Sequence, residues 1–249
     1  MTETRFTEPR FTEPLILAEP EQPFWGFAEI LLTVAVCVAS GIGVVEFAAR
    51  VLHAPIESGF WSVLEEAAVY AIVFLALKAM FARYGKGLLD SLAWSKPGPF
   101  TAASLALVGV SLSLIVAGLQ YALMTPDVET PFEKLLNDPA SRVAVALFGI
   151  TLGPIAEELL FRGFLQPVLI GVAGVFPGIL LTSALFGALH LAQNGDIWQS
   201  GALIMLVGFV LGTIRHLSGS TRASTIVHVA YNSLPFLALL VDGNQLTKK

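Results

Sequence analysis

Charge is scarce in this chain. Only 13% of its 249 residues are Asp, Glu, Lys or Arg, whereas soluble domains carry about 25%. So little charge excludes an ordinary water-soluble globule. Cysteine is nearly absent. Cys37 stands alone, so no intrachain disulfide can form, and within its apolar run it reads as a small packing group. Basic residues are few, 14 against 19 acidic ones, giving a net charge of −5. Without a strongly basic face, nucleic acid is excluded as a partner. Residues 1–23 lack the apolar core of a cleavable signal and carry Glu3, Glu8, Glu13, Glu19 and Glu21.

What the chain has in abundance is apolar length. It is 55% hydrophobic, with a mean hydropathy of +0.75. Several runs approach or exceed the ~20 residues that a membrane-spanning helix needs. They fall at about 24–51, 60–81, 100–124, 141–171, from the turn at 174–178 to Leu191, 198–214 and 221–241. An eighth span arises if the long fourth run breaks near Gly153-Pro154 or near Pro167. The expected fold is an all-α polytopic transmembrane bundle of seven to eight spans, within residues 24–249. Residues 1–23 repeat "RFTEPRFTEP" and hold four prolines, the composition of a disordered acidic tail. Residues 125–139 form a polar connector with room for a short interfacial helix. Lys and Arg in the loops number eight against five when the N-terminus is placed inside. That bias puts the chain in the cell membrane with its N-terminus cytoplasmic.

An ionisable group deep in a span needs a partner, a cavity or a function. Glu29 and Glu46 fall near the ends of the first run and reach the interface. Glu65 and Glu66 open the second, where a helix N-terminus favours negative charge. His53 and His216 fall at span ends. Glu157 and Glu158, in "GPIAEELLFRGF", instead lie in the middle of the fourth run. Arg162 follows Glu158 by four residues, the favourable spacing for an ion pair on one helical face. That pair makes burial of Glu158 tolerable. Glu157 is turned ~100° away and is not neutralised by it. It shares a face with Gly149 and Gly153, small residues that let a neighbouring helix come close. Such a carboxylate is either a general base in a dry interior or part of a buried network that fixes packing.

Two histidines also fall within spans. His190 closes "FGALH", with Phe186 one turn before it. His228 opens "HVAYN", with Asn232 one turn later on the same face. Ala173 lies 16 residues after Glu157 and 17 before His190. A helical hairpin turning there sets both side chains roughly 24 Å from the turn, level with each other. The expectation is a site formed by Glu157, His190, His228 and Asn232.

"EELLFR", "FGALH" and "HVAYN" fit Glu-Glu-x-x-x-Arg, Phe-x-x-x-His and His-x-x-x-Asn, in that order over about 75 residues. In this the chain resembles the CPBP intramembrane proteases, which include the CAAX prenyl endopeptidases and the bacteriocin-processing and immunity proteins. The resemblance covers residues 141–241, the expected catalytic core. It implies an intramembrane endopeptidase acting on a membrane-associated peptide or membrane-protein substrate, prenylated or unmodified, within the lipid bilayer. It also implies that Glu157 and His190 activate a water, that His228 and Asn232 stabilise the oxyanion, and that Glu158, Arg162 and Phe186 support the site. Family members have been described as metalloproteases. A divalent metal such as zinc, held among Glu157, Glu158, His190 and His228, is one scheme, and a metal-free glutamate-dependent route is the other. Two other classes compete: a proton- or ion-coupled transporter, and a non-catalytic immunity-like membrane partner. The two halves of the chain show none of the internal repeat expected of many transporters.

Overall fold

The computed structural model of the chain describes residues 23–55, 58–126 and 129–246. The tail at 1–22, with its duplication, lies outside them. Eleven α-helices follow one another among the described residues, with no strand. They are α1 (Phe27–Arg50), α2 (Gly59–Ala82), α3 (Leu88–Ser91), α4 (Ala102–Ala122), α5 (Pro131–Lys134), α6 (Pro139–Gly149), α7 (Leu152–Glu158), α8 (Gln166–Ala173), α9 (Val175–Leu189), α10 (Trp198–Ser218) and α11 (Thr221–Leu246). A π-helical turn, Leu159–Leu165, joins α7 to α8, and a 3-10 turn, Ala192–Asn194, follows α9.

Local chemistry marks the ends. Thr101 caps α4 by accepting from the Ser104 amide at 3.1 Å. Asp138 caps α6 by accepting from the Ser141 amide at 2.9 Å, with Pro139 in the first helical position. The polar connector holds the expected short helix, α5, started by a Thr130–Glu133 capping box. Gly174, at φ +87, turns α8 back into α9 in a single residue. That conformation disfavours a side chain, and the turn falls one residue from the expected centre at Ala173.

Six segments are long and apolar enough to cross a bilayer: α1, α2, α4, 139–173, α10 and α11. The protein is an integral, multi-pass membrane protein. The fifth expected span is the shorter α9, with 15 residues. The long fourth run does break, but at Ile150–Thr151, between α6 and α7. Pro154 and Pro167 cause no break. Pro154 falls in the first turn of α7, where its missing amide proton is not needed, and Pro167 follows directly on the π turn without ending the helical run.

Large apolar side chains cover the outside. On α1 they include Leu31, Leu32, Val34, Val38 and Ile42, as expected of a helix whose surroundings are lipid tails. Inside are two apolar cores. One joins Trp25 and the α2 residues Val73, Leu77 and Phe81 to Leu159, Phe164 and Val168. The other joins Leu105, Leu112 and Val116 of α4 to Leu203, Val207 and Leu211 of α10 and to Ala223 and Val227 of α11. Helices α4 and α11 approach closely because residue 109 is glycine. A Cβ there would lie 2.3 Å from the Val227 carbonyl oxygen. Glu158, Arg162 and His228 form a polar layer where the elements of the two cores meet.

Candidate active site

The site is built on an irregular stretch of backbone. Pro167 has no amide hydrogen, so the Gly163 carbonyl has no helical partner four residues on. The next carbonyl, of Phe164, accepts from the Trp25 indole Nε1 at 3.0 Å. Trp25 also stacks on the Phe164 ring, centroids 5.7 Å apart at 14°. Gly163 lies tight against the Leu92 carbonyl, where a Cβ would stand 2.9 Å from the oxygen. These contacts hold the π turn that carries Arg162. Such turns are rare and occur mostly at functional places.

Arg162 and Glu158 are both fully buried, with Nη1 2.9 Å from Oε1. The contact is an ion pair rather than an aligned hydrogen bond. Arg162 Nη2 donates to the Gly208 carbonyl at 3.2 Å, and the guanidinium lies 4.4 Å above the centroid of Phe186. Glu158 Oε1 also faces His228 Nδ1 at 3.0 Å. An ionised carboxylate only accepts, so that nitrogen carries the proton.

Glu157 faces another way. Its side chain is 19% exposed, whereas Glu158 is wholly enclosed. Oε1 stands 3.9 Å from His190 Nε2, and Oε2 stands 3.7 Å from His228 Nε2. Both gaps are too long for a hydrogen bond and suit a single bridging water. His190 Nδ1 lies 2.8 Å from the Phe186 carbonyl, which can only accept. In neutral His190 the proton is therefore on Nδ1, and Nε2 presents its lone pair to the cleft. Phe186 underlies the cluster, with its ring 4.5 Å from that of His190 and 6.0 Å from that of His228.

Six of the seven residues singled out from the motifs thus converge: Glu157, Glu158, Arg162, Phe186, His190 and His228. Asn232 is placed less simply. Its Nδ2 donates to the Gly149 carbonyl at 2.8 Å, tying α11 to α6. One of its two amide protons is committed to holding helices together, leaving one for other chemistry.

Two further residues were missed. Glu65 and Glu66 do not open α2 as an interfacial first turn. The helix starts at Gly59, so they fall in its second turn. Glu66 is on the same face as Tyr70, Val73, Leu77 and Phe81, the side of α2 that turns inward. The Tyr70 hydroxyl donates to Glu66 Oε1 at 3.0 Å. Both residues lie within electrostatic reach of Glu157, and Glu66 also of His190. The 3.6-residue periodicity running from Glu66 to Phe81 is the signal that could have found them.

Among the described residues, no group of three or more His, Cys, Asp or Glu side chains converges as a metal cage. Glu158 is already engaged by Arg162 and His228, and Glu157 turns a different oxygen to each histidine. The donor set does not fit zinc, and no step below passes through a metal.

Residues 139–234 match the family described as type II CAAX prenyl endopeptidase Rce1-like. Over this segment the chain is similar to that family. The match runs from the first residue of α6 into α11 and contains all three motifs. It agrees with the CPBP intramembrane protease resemblance carried by those motifs. No curated protein and no solved structure matches the chain. The Rce1-like segment supports, in general, an intramembrane CAAX-type endopeptidase, and it contains every residue of the polar layer described above.

Proposed function

We propose that the protein is an intramembrane endopeptidase whose Glu157–His190 pair activates a water against a peptide bond, with residues 141–241 as the catalytic core. One observation carries this reading. Oε1 of the partly exposed Glu157 and the lone pair of His190 Nε2 face each other across 3.9 Å. Two acceptors at that separation call for a molecule that donates to both, and water does so.

The chemistry follows from the donors present. Water gives one hydrogen bond to Glu157 Oε1 and one to His190 Nε2, leaving a lone pair for the substrate carbonyl carbon. As the O–C bond forms, one water proton passes to the Glu157–His190 pair. The carbonyl oxygen becomes an oxyanion. Asn232 can offer it the amide proton not given to Gly149. His228 can offer Nε2–H only when its ring holds two protons, because Nδ1–H is committed to Glu158. Donors aimed at a developing oxyanion in a water-poor cavity are worth far more than in bulk water. The proton then passes to the leaving nitrogen as the C–N bond breaks, and the products are a carboxylic acid and an amine. Glu158, Arg162 and Phe186 touch no reacting atom and act by fixing His228 and the backbone of the π turn.

The substrate is a membrane-associated peptide. The test uses the full chain in liposomes with two internally quenched peptides, one farnesylated at a C-terminal CAAX sequence and one identical but unmodified. Wild type is expected to cleave at least one of them, and Glu157→Gln neither. Cleavage of neither peptide by wild type, or of either by Glu157→Gln at the wild-type rate, refutes the reading. A preference for the farnesylated peptide assigns prenylated substrates.

A further inference from the structure

The side chains given a part in the chemistry so far come from the segment that matches the family, residues 139–234. Helix α2 lies outside it, yet its inward face continues through Glu66 and Tyr70 before reaching Val73, Leu77 and Phe81. Those last three are buried, whereas Glu66 is exposed. Glu66 thus keeps accessible surface at the end of an otherwise inward-facing stripe. Three contacts tie it to the site. The Tyr70 hydroxyl holds Glu66 Oε1 at 3.0 Å. The Tyr70 ring lies parallel to that of Phe148, 6.3 Å away at 6°. The Phe148 ring in turn lies against Gly153, one turn before Glu157 on the same face, where a Cβ would be 3.3 Å from it. The α2 pair is thus braced against the helix that presents Glu157.

We propose that Glu66, oriented by the Tyr70 hydroxyl, is a positioning residue that stabilises the positive charge His190 acquires when it takes the proton of the attacking water. This rests on the peptidase reading. The ionisable groups within electrostatic reach of the Glu157–His190 pair are His228 of α11, Glu158 and Arg162 beside it, and Glu66 and Tyr70 of α2, with Cys37 of α1 in turn within reach of Tyr70. Arg162 neutralises Glu158, and His228 lies between Glu158 and Glu157. That leaves Glu157 and Glu66 as the anions available to His190. Glu157 must also contact the water and the substrate. Glu66 has no such duty and has a hydroxyl to fix it. A fixed anion beside a group that becomes cationic only during the reaction favours the transition state over the ground state.

The experiment measures kcat and KM in liposomes, on whichever of the two quenched peptides wild type turns over. Glu66→Gln is expected to lower kcat about tenfold while KM stays within about twofold, as loss of one nearby charge in a partly dry cleft implies. Glu66→Asp should recover most of that loss. Tyr70→Phe, which keeps the ring stack and removes the hydroxyl, should lower kcat about threefold. Wild-type kcat in Glu66→Gln overturns the proposal, and so does an equal loss in Glu66→Gln and Glu66→Asp. Glu157→Gln in the same assay separates the two claims. If it keeps turnover, the peptidase reading falls and the role of Glu66 with it. If it abolishes turnover while Glu66→Gln runs at the wild-type rate, only the role of Glu66 falls. Should Glu66→Gln fail to fold, Tyr70→Phe decides alone, and wild-type kcat there overturns the proposal.

Discussion

Replacing Arg162 by alanine should damage the fold more than any other single change at the site. The side chain has no exposure, and three contacts disappear together: the ion pair to Glu158 at 2.9 Å, the hydrogen bond to the Gly208 carbonyl at 3.2 Å, and the seat over Phe186 at 4.4 Å. The charge left behind matters most. Stranding a buried carboxylate costs about 3–5 kcal/mol. A lost hydrogen bond from a charged donor adds roughly 1.5–3 kcal/mol, and the cation–π contact adds on the order of 1 kcal/mol. Glu158 keeps its contact with His228 Nδ1 at 3.0 Å and can take up a proton, which limits the total. A net loss of about 4 kcal/mol is expected, a fall on the order of 10 °C in unfolding temperature. The assay is thermal unfolding in mild detergent, alongside cleavage at a temperature where the variant is still folded. The double change Glu158→Gln with Arg162→Met removes both charges, so it should recover a large part of the stability without recovering turnover. An Arg162→Ala protein as heat-resistant as wild type refutes the buried-pair argument. So does a double variant weaker than the single one.

Asn232→Ala should cut kcat about 100- to 1000-fold yet lose only about 1 kcal/mol of stability, the worth of one interhelical hydrogen bond in a membrane; stability and activity falling in step would assign Asn232 to helix bridging alone. Gly109→Val should separate α4 from α11, since even a Cβ meets the Val227 carbonyl oxygen at 2.3 Å, and an unchanged unfolding temperature in detergent would contradict that packing. The Ser141 hydroxyl, and then its amide, hold the Asp138 carboxyl below the usual aspartate range. Its contribution to stability is therefore present above about pH 4 and lost as pH falls through the lower, folded value; Asp138→Asn should flatten that acid loss, read by unfolding temperature between pH 6 and pH 3. A strong divalent chelator should leave peptide cleavage at the untreated rate, and loss of activity restored by added zinc would overturn the metal-free scheme.

The parts of the site that were legible in sequence are those set by short-range spacing. Glu158 and Arg162 are four apart, and that spacing brings them together in the folded protein. Glu157 and His190 are nearly equidistant from Gly174, and the hairpin brings them within 3.9 Å. The fold class followed from apolar length alone. What was not legible depends on contacts between distant segments. The break at Ile150–Thr151 was legible only to within a few residues, since the Gly153-Pro154 pair that announced it falls in the first turn of α7 rather than at the break. Glu66 was misplaced because Glu65 and Glu66 were read as opening a run that starts at about residue 60, although they lie a full turn inside it. The role of Asn232 against Gly149 spans 83 residues and has no periodic signature. The hold of Trp25 on Phe164, 139 residues away, is equally invisible before the fold is known.

The π turn at Leu159–Leu165 has a consequence for how the family segment can change length. A π turn holds one residue more than the α-helical turn it replaces. Because the extra residue is taken up within the turn, removing one residue would close it to an α-helical turn and leave α7 and α8 nearly in phase. What would change is the spacing inside the turn: a residue lost between Glu158 and Arg162 shortens their separation from four to three and displaces the guanidinium that neutralises Glu158. A deletion that the loop at 192–197 could absorb would here disturb the buried ion pair, with neither of its residues altered.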